Sequence, residues 1–141
     1  MLILPFPLTG PAGRLEALRH LFRHGYAEAD SDLHHVARAC LVEAPTSEWY
    51  AVGLSNGGGY LFPQNAAPLE LVNPQNFVHV HLSPDAAGMA LTLLSLTRLA
   101  AHAEQGGDEV LAQWRRDKAG LLRAYVRQHA EGDAIGRFSE E

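Results

Sequence analysis

The residues most capable of chemistry in this chain are its eight histidines, two of its serines and a run of three glycines. His79 and His81 alternate along one segment, so in a strand they share a face. His20 and His24 stand four apart, so in a helix they also share a face. Either pair could supply imidazoles to a zinc ion. Neither lies in an HExxH pattern, and no carboxylate or second cysteine is spaced to complete a ligand set, so no metal is expected. Ser55 and Ser83 lack the G-x-S-x-G surroundings of an exposed nucleophile. Ser83 reads as a helix cap and Ser55 as a turn residue. Gly57-Gly58-Gly59 is followed by a strand pattern and by no Lys-Ser or Lys-Thr, which excludes a P-loop.

Five cations, Arg115, Arg116, Lys118, Arg123 and Arg127, lie along one C-terminal stretch. Asp108, Glu109, Asp117, Glu131 and Asp133 interleave or flank them, and no aromatic ladder accompanies them. A solvated charged helix face is expected there, in preference to a nucleic-acid track. The formal net charge of −5 is opposite in sign to that of a dedicated nucleic-acid binder. It is also too mild for a surface that imitates DNA. Cys40 is the one cysteine, so no internal disulfide can form, which fits a reducing compartment. It falls at an apolar helical position and reads as a buried, inert thiol.

The elements that must carry these residues follow from periodicity. With 141 residues the chain suits one domain, 1–141. Residues 1–12, rich in Pro and Gly, read as an irregular lead-in. The start, Met1 to Leu8, is a poor signal peptide, being short, without a charged n-region and broken by two prolines. Leu15, Leu18, Leu21 and Phe22 predict a helix over 13–24, with Gly25 as its stop. Leu33, Val36, Ala37, Cys40 and Leu41 predict a second over 31–42, capped by Asp30 or Ser31 and ended by Pro45. Trp49 to Leu54 and Gly59 to Phe62 predict a hairpin around Ser55-Asn56-Gly57-Gly58, which tolerates positive φ. Leu69 to Val72 and Phe77 to Leu82 predict two further strands, giving one small antiparallel sheet of about four strands with helices on one face.

Ser83-Pro84-Asp85 has the composition of a helix start: a cap, a proline at the first position and an acid in the first turn. The helix that follows is apolar almost all round, with Met89, Leu91, Leu93, Leu94, Leu96 and Leu99, so it is expected at the centre of the fold. Asp85, Arg98 and His102 exclude it as a membrane span. A narrow polar stripe, Asp85, Gly88, Thr92, Ser95 and His102, runs along it. A last long helix is predicted over 108–129, with Leu111, Trp114, Leu121, Leu122 and Tyr125 facing in, and a final helical turn over 133–138. On residues alone this is an α+β domain of four or so helices without visible catalysis, and the cytoplasm is its expected compartment.

Three blocks resemble one family, the antirestriction proteins of the ArdB/KlcA type carried by conjugative plasmids and other mobile elements of bacteria. The first is Trp49-Tyr50, Leu54-Ser55-Asn56-Gly57-Gly58 and Tyr60-Leu61-Phe62-Pro63. The second, Leu82-Ser83-Pro84-Asp85-Ala86-Ala87-Gly88, is close to the family's Leu-Ser-Ala-Asp-Ala-Ala-Gly. The third is Leu122-Arg123-Ala124-Tyr125-Val126-Arg127-Gln128-His129-Ala130-Glu131, then Ala134-Ile135 and Arg137. The resemblance covers roughly 33–140. Ala124, Ala130 and Gly136 stand where the family has Asp, Pro and an aromatic, and the chain ends Ser139-Glu140-Glu141 in place of Ile-Asp.

The resemblance implies inhibition of type I restriction of unmodified incoming DNA by a non-enzymatic protein without a cofactor. The partner implied is a protein, a type I restriction enzyme or another defence component, with no DNA mimicry and no membrane. Contact residues implied are Ser55, Asn56 and Gly57 of the hairpin, Asp85 at the helix entry, and Glu131, Arg137 and Glu140. Turn geometry, capping and surface ion pairing explain the same residues structurally. Two other readings stand beside it: an inhibitor or adaptor aimed at another defence system, and a small metal-dependent hydrolase using the histidines.

Overall fold

The computed structural model describes residues 2–43 and 48–140. Its elements run β1 Pro5–Leu8, α1 Gly10–Phe22, α2 Tyr26–Cys40, β2 Trp49–Leu54, β3 Gly59–Pro63, β4 Leu69–Val72, β5 His79–Leu82, α3 Pro84–Gln105, α4 Glu109–Gln128 and α5 Gly132–Ser139. The α+β class holds, with antiparallel strands throughout the two sheets. The strands divide into a three-stranded sheet, β1-β2-β3, and a separate two-stranded ribbon, β4-β5, where a single sheet of about four was expected.

Two local causes account for the division. The expected irregular lead-in instead contributes β1, whose Pro5 pairs with Leu54 and Leu8 with Ala51. Leu4 exchanges bonds with Ser55, so even-numbered residues turn their backbone groups toward β2. Pro5 and Pro7 therefore place their missing N–H groups on the outer edge, where no ladder needs them. Pro63 ends β3, and β4 instead meets the end of α2 through a Leu41–Leu71 bridge and a Val42 N–H bond to Glu70 O.

The helix starts shift as well. Gly25, at φ +73°, turns the chain from α1 straight into α2, which therefore begins at Tyr26; Asp30 and Ser31 lie inside the helix and do not cap it. The expected stop at Pro45 lies outside the described residues. Ser83 does cap α3, its Oγ accepting from Ala86 N–H at 3.2 Å, and Asp108 caps α4 by accepting from Leu111 N–H at 3.0 Å. The strand expected from Phe77 begins only at His79, because Phe77 sits at φ +61°.

The stripe along α3 is its seating surface. Gly88 lies flat against β3: a Cβ there would stand 2.5 Å from Leu61 O and on top of the Phe62 side chain. One turn later the Thr92 Oγ1 accepts from Leu61 N–H and donates to Leu61 O, both at 3.2 Å. Ser95, a turn beyond, donates to Asp32 of α2 at 2.8 Å, and Arg98 binds the other oxygen of that carboxylate. Around this seam Met89, Leu91, Leu93 and Leu96 are buried, together with Phe22, Leu33, Tyr60, Leu61, Leu71, Leu122 and Phe138.

Two of the five cations expected on a solvated face of α4 are buried instead, Arg115 at 6% and Lys118 at 8% exposure. Arg115 donates to the carbonyls of Phe22, His24 and Leu99, at 3.0, 2.7 and 3.0 Å. It thus satisfies the frayed end of α1, which no helix turn can reach. Burial lowers the affinity of both cations for their protons. Lys118 lies over the Trp114 ring and donates to Gly57 O at 3.0 Å. Arg116, Arg123 and Arg127 are exposed as expected. Trp114, Leu111 and Leu121, expected to face in, are only half-buried.

Gly88→Ala should lower stability by about 2–3 kcal/mol, because helix and strand backbones must part to admit a methyl group. Gly120→Ala, at an α4 position with open space around it, should raise stability by about 0.5–1 kcal/mol. Chemical denaturation of both variants measures the contrast. Burial also pushes the Cys40 thiol up to about 11, so iodoacetamide in mildly alkaline buffer should label it only after unfolding.

Candidate functional site

A network of polar side chains gathers where α3 begins. The Tyr60 hydroxyl donates to Asp85 Oδ1 at 2.5 Å. Burial first, and the Asp85 carboxylate second, hold that hydroxyl well above the ordinary tyrosine range, so it stays protonated as a donor. Tyr125 stacks on Tyr60 with ring centroids 6.2 Å apart and is pushed up for the same leading reason. His129 Nδ1 accepts from Glu131 N–H at 3.0 Å, which assigns the proton of the neutral ring to Nε2. That nitrogen faces Asp85 Oδ2 at 3.5 Å.

Glu131 completes the arrangement from α5's lead-in. It accepts from Ser83 N–H at 2.9 Å and from Ser83 Oγ at 2.6 Å. Ser83 Oγ thus donates to Glu131 while accepting from Ala86 N–H, and the Glu131 carboxylate is itself held by the Ser83 N–H, so both groups are engaged in capping the start of α3. The network ties strand β3, the start of α3 and the end of α4. Its chemistry is that of a clamp.

The hairpin residues are equally engaged. Ser55 exchanges bonds with Leu4, and Asn56 donates to Leu121 O at 2.9 Å while accepting from Gly58 N–H. Gly57, at φ +92°, presents its carbonyl to Lys118 and to His20 Nε2 at 2.7 Å. His24 lies beyond the end of α1, so the expected His20–His24 helix face does not form.

Arg137 and Glu140 differ from these. Their side chains are exposed and make no hydrogen bond or ion pair among the described residues. Their backbone carbonyls accept from the Asn76 side chain, at 3.4 and 2.5 Å, and Phe138 O accepts from Asn73 at 2.7 Å. The Asn73–Phe77 loop is thereby fixed to the end of α5. On that loop Phe77 is 80% exposed in a left-handed conformation. A bulky residue there is strained, and such strain concentrates at functional sites. Sequence reading missed it by placing Phe77 in a strand; the dense Asn-Pro-Gln-Asn turn just before it was the available signal. On the far side of α5, Glu140 and Asp133 line an open groove of about 940 Å³ with Arg116, Arg123 and Arg127. Arg116 pairs with Glu104, whereas the guanidinium groups of Arg123 and Arg127 have no partner among the described residues.

The ribbon holds one further correction. His79 and His81 share a face as expected, but a carboxylate does stand beside them: Glu70, from β4.

Residues 45–138 match the family model described as "Antirestriction protein". The chain belongs to the antirestriction protein family. YubI of Escherichia coli (strain K12) is 31% identical over 122 residues, 86% of each chain. The antirestriction protein KlcA of Escherichia coli is 36% identical over 89 residues, 63% of this chain and 59% of KlcA. A solved structure from work on KlcA and ArdB superposes with a TM-score of 0.81 at 30% identity, covering 98% of this chain and 95% of that one. That work describes a novel fold and antirestriction activity against type I DNA restriction systems in vivo but not in vitro. The family match contains the clamp, the hairpin and the Phe77 loop.

Within this antirestriction fold, Ser83→Ala and Glu131→Ala should each lower stability by about 1–2 kcal/mol, through a lost cap and an unpaired backbone N–H. Together they should cost less than the sum, since they share one interaction. Denaturant titrations of the two single variants and the double variant measure the coupling.

Proposed function

We propose that this chain protects unmodified incoming DNA by lowering type I restriction, as a non-enzymatic, protein-directed inhibitor that works in the bacterial cytoplasm. One observation carries this reading: the superposition over nearly the whole chain on a KlcA/ArdB structure whose described activity is against type I systems. The unit that acts is the whole domain, 1–141.

Charge supports a protein target over DNA mimicry. The net charge is only −5, and the open groove presents two arginines that have no partner among the described residues. A DNA mimic needs the reverse, a continuous acidic surface. The clamp supports a non-enzymatic role, because Ser83 and Glu131 are spent on each other and on the start of α3, and Asp85 accepts from the Tyr60 hydroxyl. No helix among the described residues is long and apolar enough to cross a membrane.

Of the contact residues implied by resemblance, Arg137 and Glu140 retain free side chains, and Asp85 is partly open at 42%. Phe77 joins them as an exposed apolar anchor beside the end of α5. Aromatic and arginine side chains dominate binding energy at protein interfaces. Ser55, Asn56, Gly57 and Glu131 serve this surface by holding the framework.

The test is the plating efficiency of unmodified phage on bacteria carrying a type I restriction system, with and without the chain expressed. Plating should rise, and the rise should vanish on a restriction-free host. No rise with folded protein present would overturn the reading and favour another defence system as target. Phe77→Asn should leave the fold at least as stable, because Asn tolerates the left-handed region. Combined with Arg137→Glu it should abolish the rise in plating while thermal unfolding stays near that of the wild type.

A further inference from the structure

The β4-β5 ribbon has one face in the core and one in solvent. Leu69, Leu71, Val80 and Leu82 are buried, so strand alternation turns Glu70, His79 and His81 outward. Register fixes their spacing. Glu70 stands directly opposite His81, and His79 is its diagonal neighbour, opposite Val72. Glu70 Oε2 lies 2.5 Å from His79 Nε2 and 3.9 Å from His81 Nε2, and all three donor atoms fall within 4.8 Å of one another.

We propose that Glu70, His79 and His81 form a binding site for a divalent first-row transition cation of the Zn2+ class. Two imidazole nitrogens and one carboxylate oxygen are a donor set that suits zinc. With metal–ligand bonds of about 2.0–2.2 Å, donors around a tetrahedral ion lie about 3.3–3.6 Å apart. The Glu70–His79 pair has to open by somewhat under an ångström, and the Glu70–His81 pair has to close by about half of one. Both imidazoles are more than half-exposed and the Glu70 side chain is 37% exposed, so rotation about their own bonds suffices.

The backbone beneath them does not have to move. It is held by the ribbon ladder, by the Leu41–Leu71 bridge and by the Val42 bond to Glu70 O. Three protein donors leave at least one coordination position facing solvent, open to water or to a donor from another molecule. The site is independent of the antirestriction reading, because none of its residues belongs to the clamp or to the Phe77–Arg137 surface.

The experiment is calorimetric titration of the full chain with Zn2+ in chelator-free buffer, with Co2+ absorption as a second probe. One equivalent should bind saturably. A His79→Ala, His81→Ala double variant should lose at least tenfold in affinity, with circular dichroism unchanged, and Glu70→Gln should weaken binding as well. His102→Ala, which removes an exposed imidazole elsewhere, should bind as the wild type does. Equal affinity in the wild type and the double variant, or no saturable binding in the wild type, would overturn the site.

Discussion

Everything in this fold is arranged around a helix that cannot face water on any side for most of its length. Helix α3 is seated on strand β3 through Gly88 and Thr92, with a glycine where the two backbones touch and a hydroxyl that bonds both polar groups of Leu61. That contact fixes which part of α3 faces the sheet. The remaining apolar surface then needs cover from other directions: α2 through Ser95 and Asp32, α4 along most of its length, and α5 near the start. The clamp at Asp85 and Glu131 is the polar end of the same seam. Each clamp residue belongs to α3, to its cap or to an element packed against it.

A second constraint comes from charge. Arg115 enters the interior without a carboxylate partner in bonding range among the described residues and is held by three backbone carbonyls. A buried cation is tolerated only when its donors are all engaged, and here the carbonyls left over at the end of α1 need donors. The two deficits cancel. Lys118 repeats the arrangement on a smaller scale, with Gly57 O and the face of Trp114. Helix α4 therefore carries two kinds of cation: structural ones turned in, and Arg123 and Arg127 turned out toward the groove.

The residues explain what could be read from the sequence and what could not. The start of α3 was legible because Ser83, Pro84 and Asp85 act locally, each on its own turn of helix. The hairpin was legible because Asn56 and Gly57 act on the turn that contains them. Strand β1 was hidden because prolines usually exclude a strand, and only its pairing partner shows that they fall on the free edge. Arg115 and Lys118 were misread because periodicity records position on a helix, whereas their burial depends on the carbonyls of Phe22, His24 and Gly57, which lie far away in the sequence. Glu70 was missed beside His79 and His81 because ribbon register, not sequence spacing, brings it across. Phe77 was placed in a strand on its propensity, and the Asn73 and Asn76 side-chain bonds override that propensity.

The bonds made by Arg115 also set an order of assembly. The guanidinium that satisfies the carbonyls at the end of α1 is added only 91 to 93 residues after they are made. Gln128, later still, exchanges two bonds with Ile3 near the start of the chain. A nascent chain paused before α4 therefore holds an unfinished helix end and an uncovered flank of α3. Contacts between the two ends of a chain carry the largest closure entropy and form slowly. Until they form, the flank of α3 that α4 covers stays open to water.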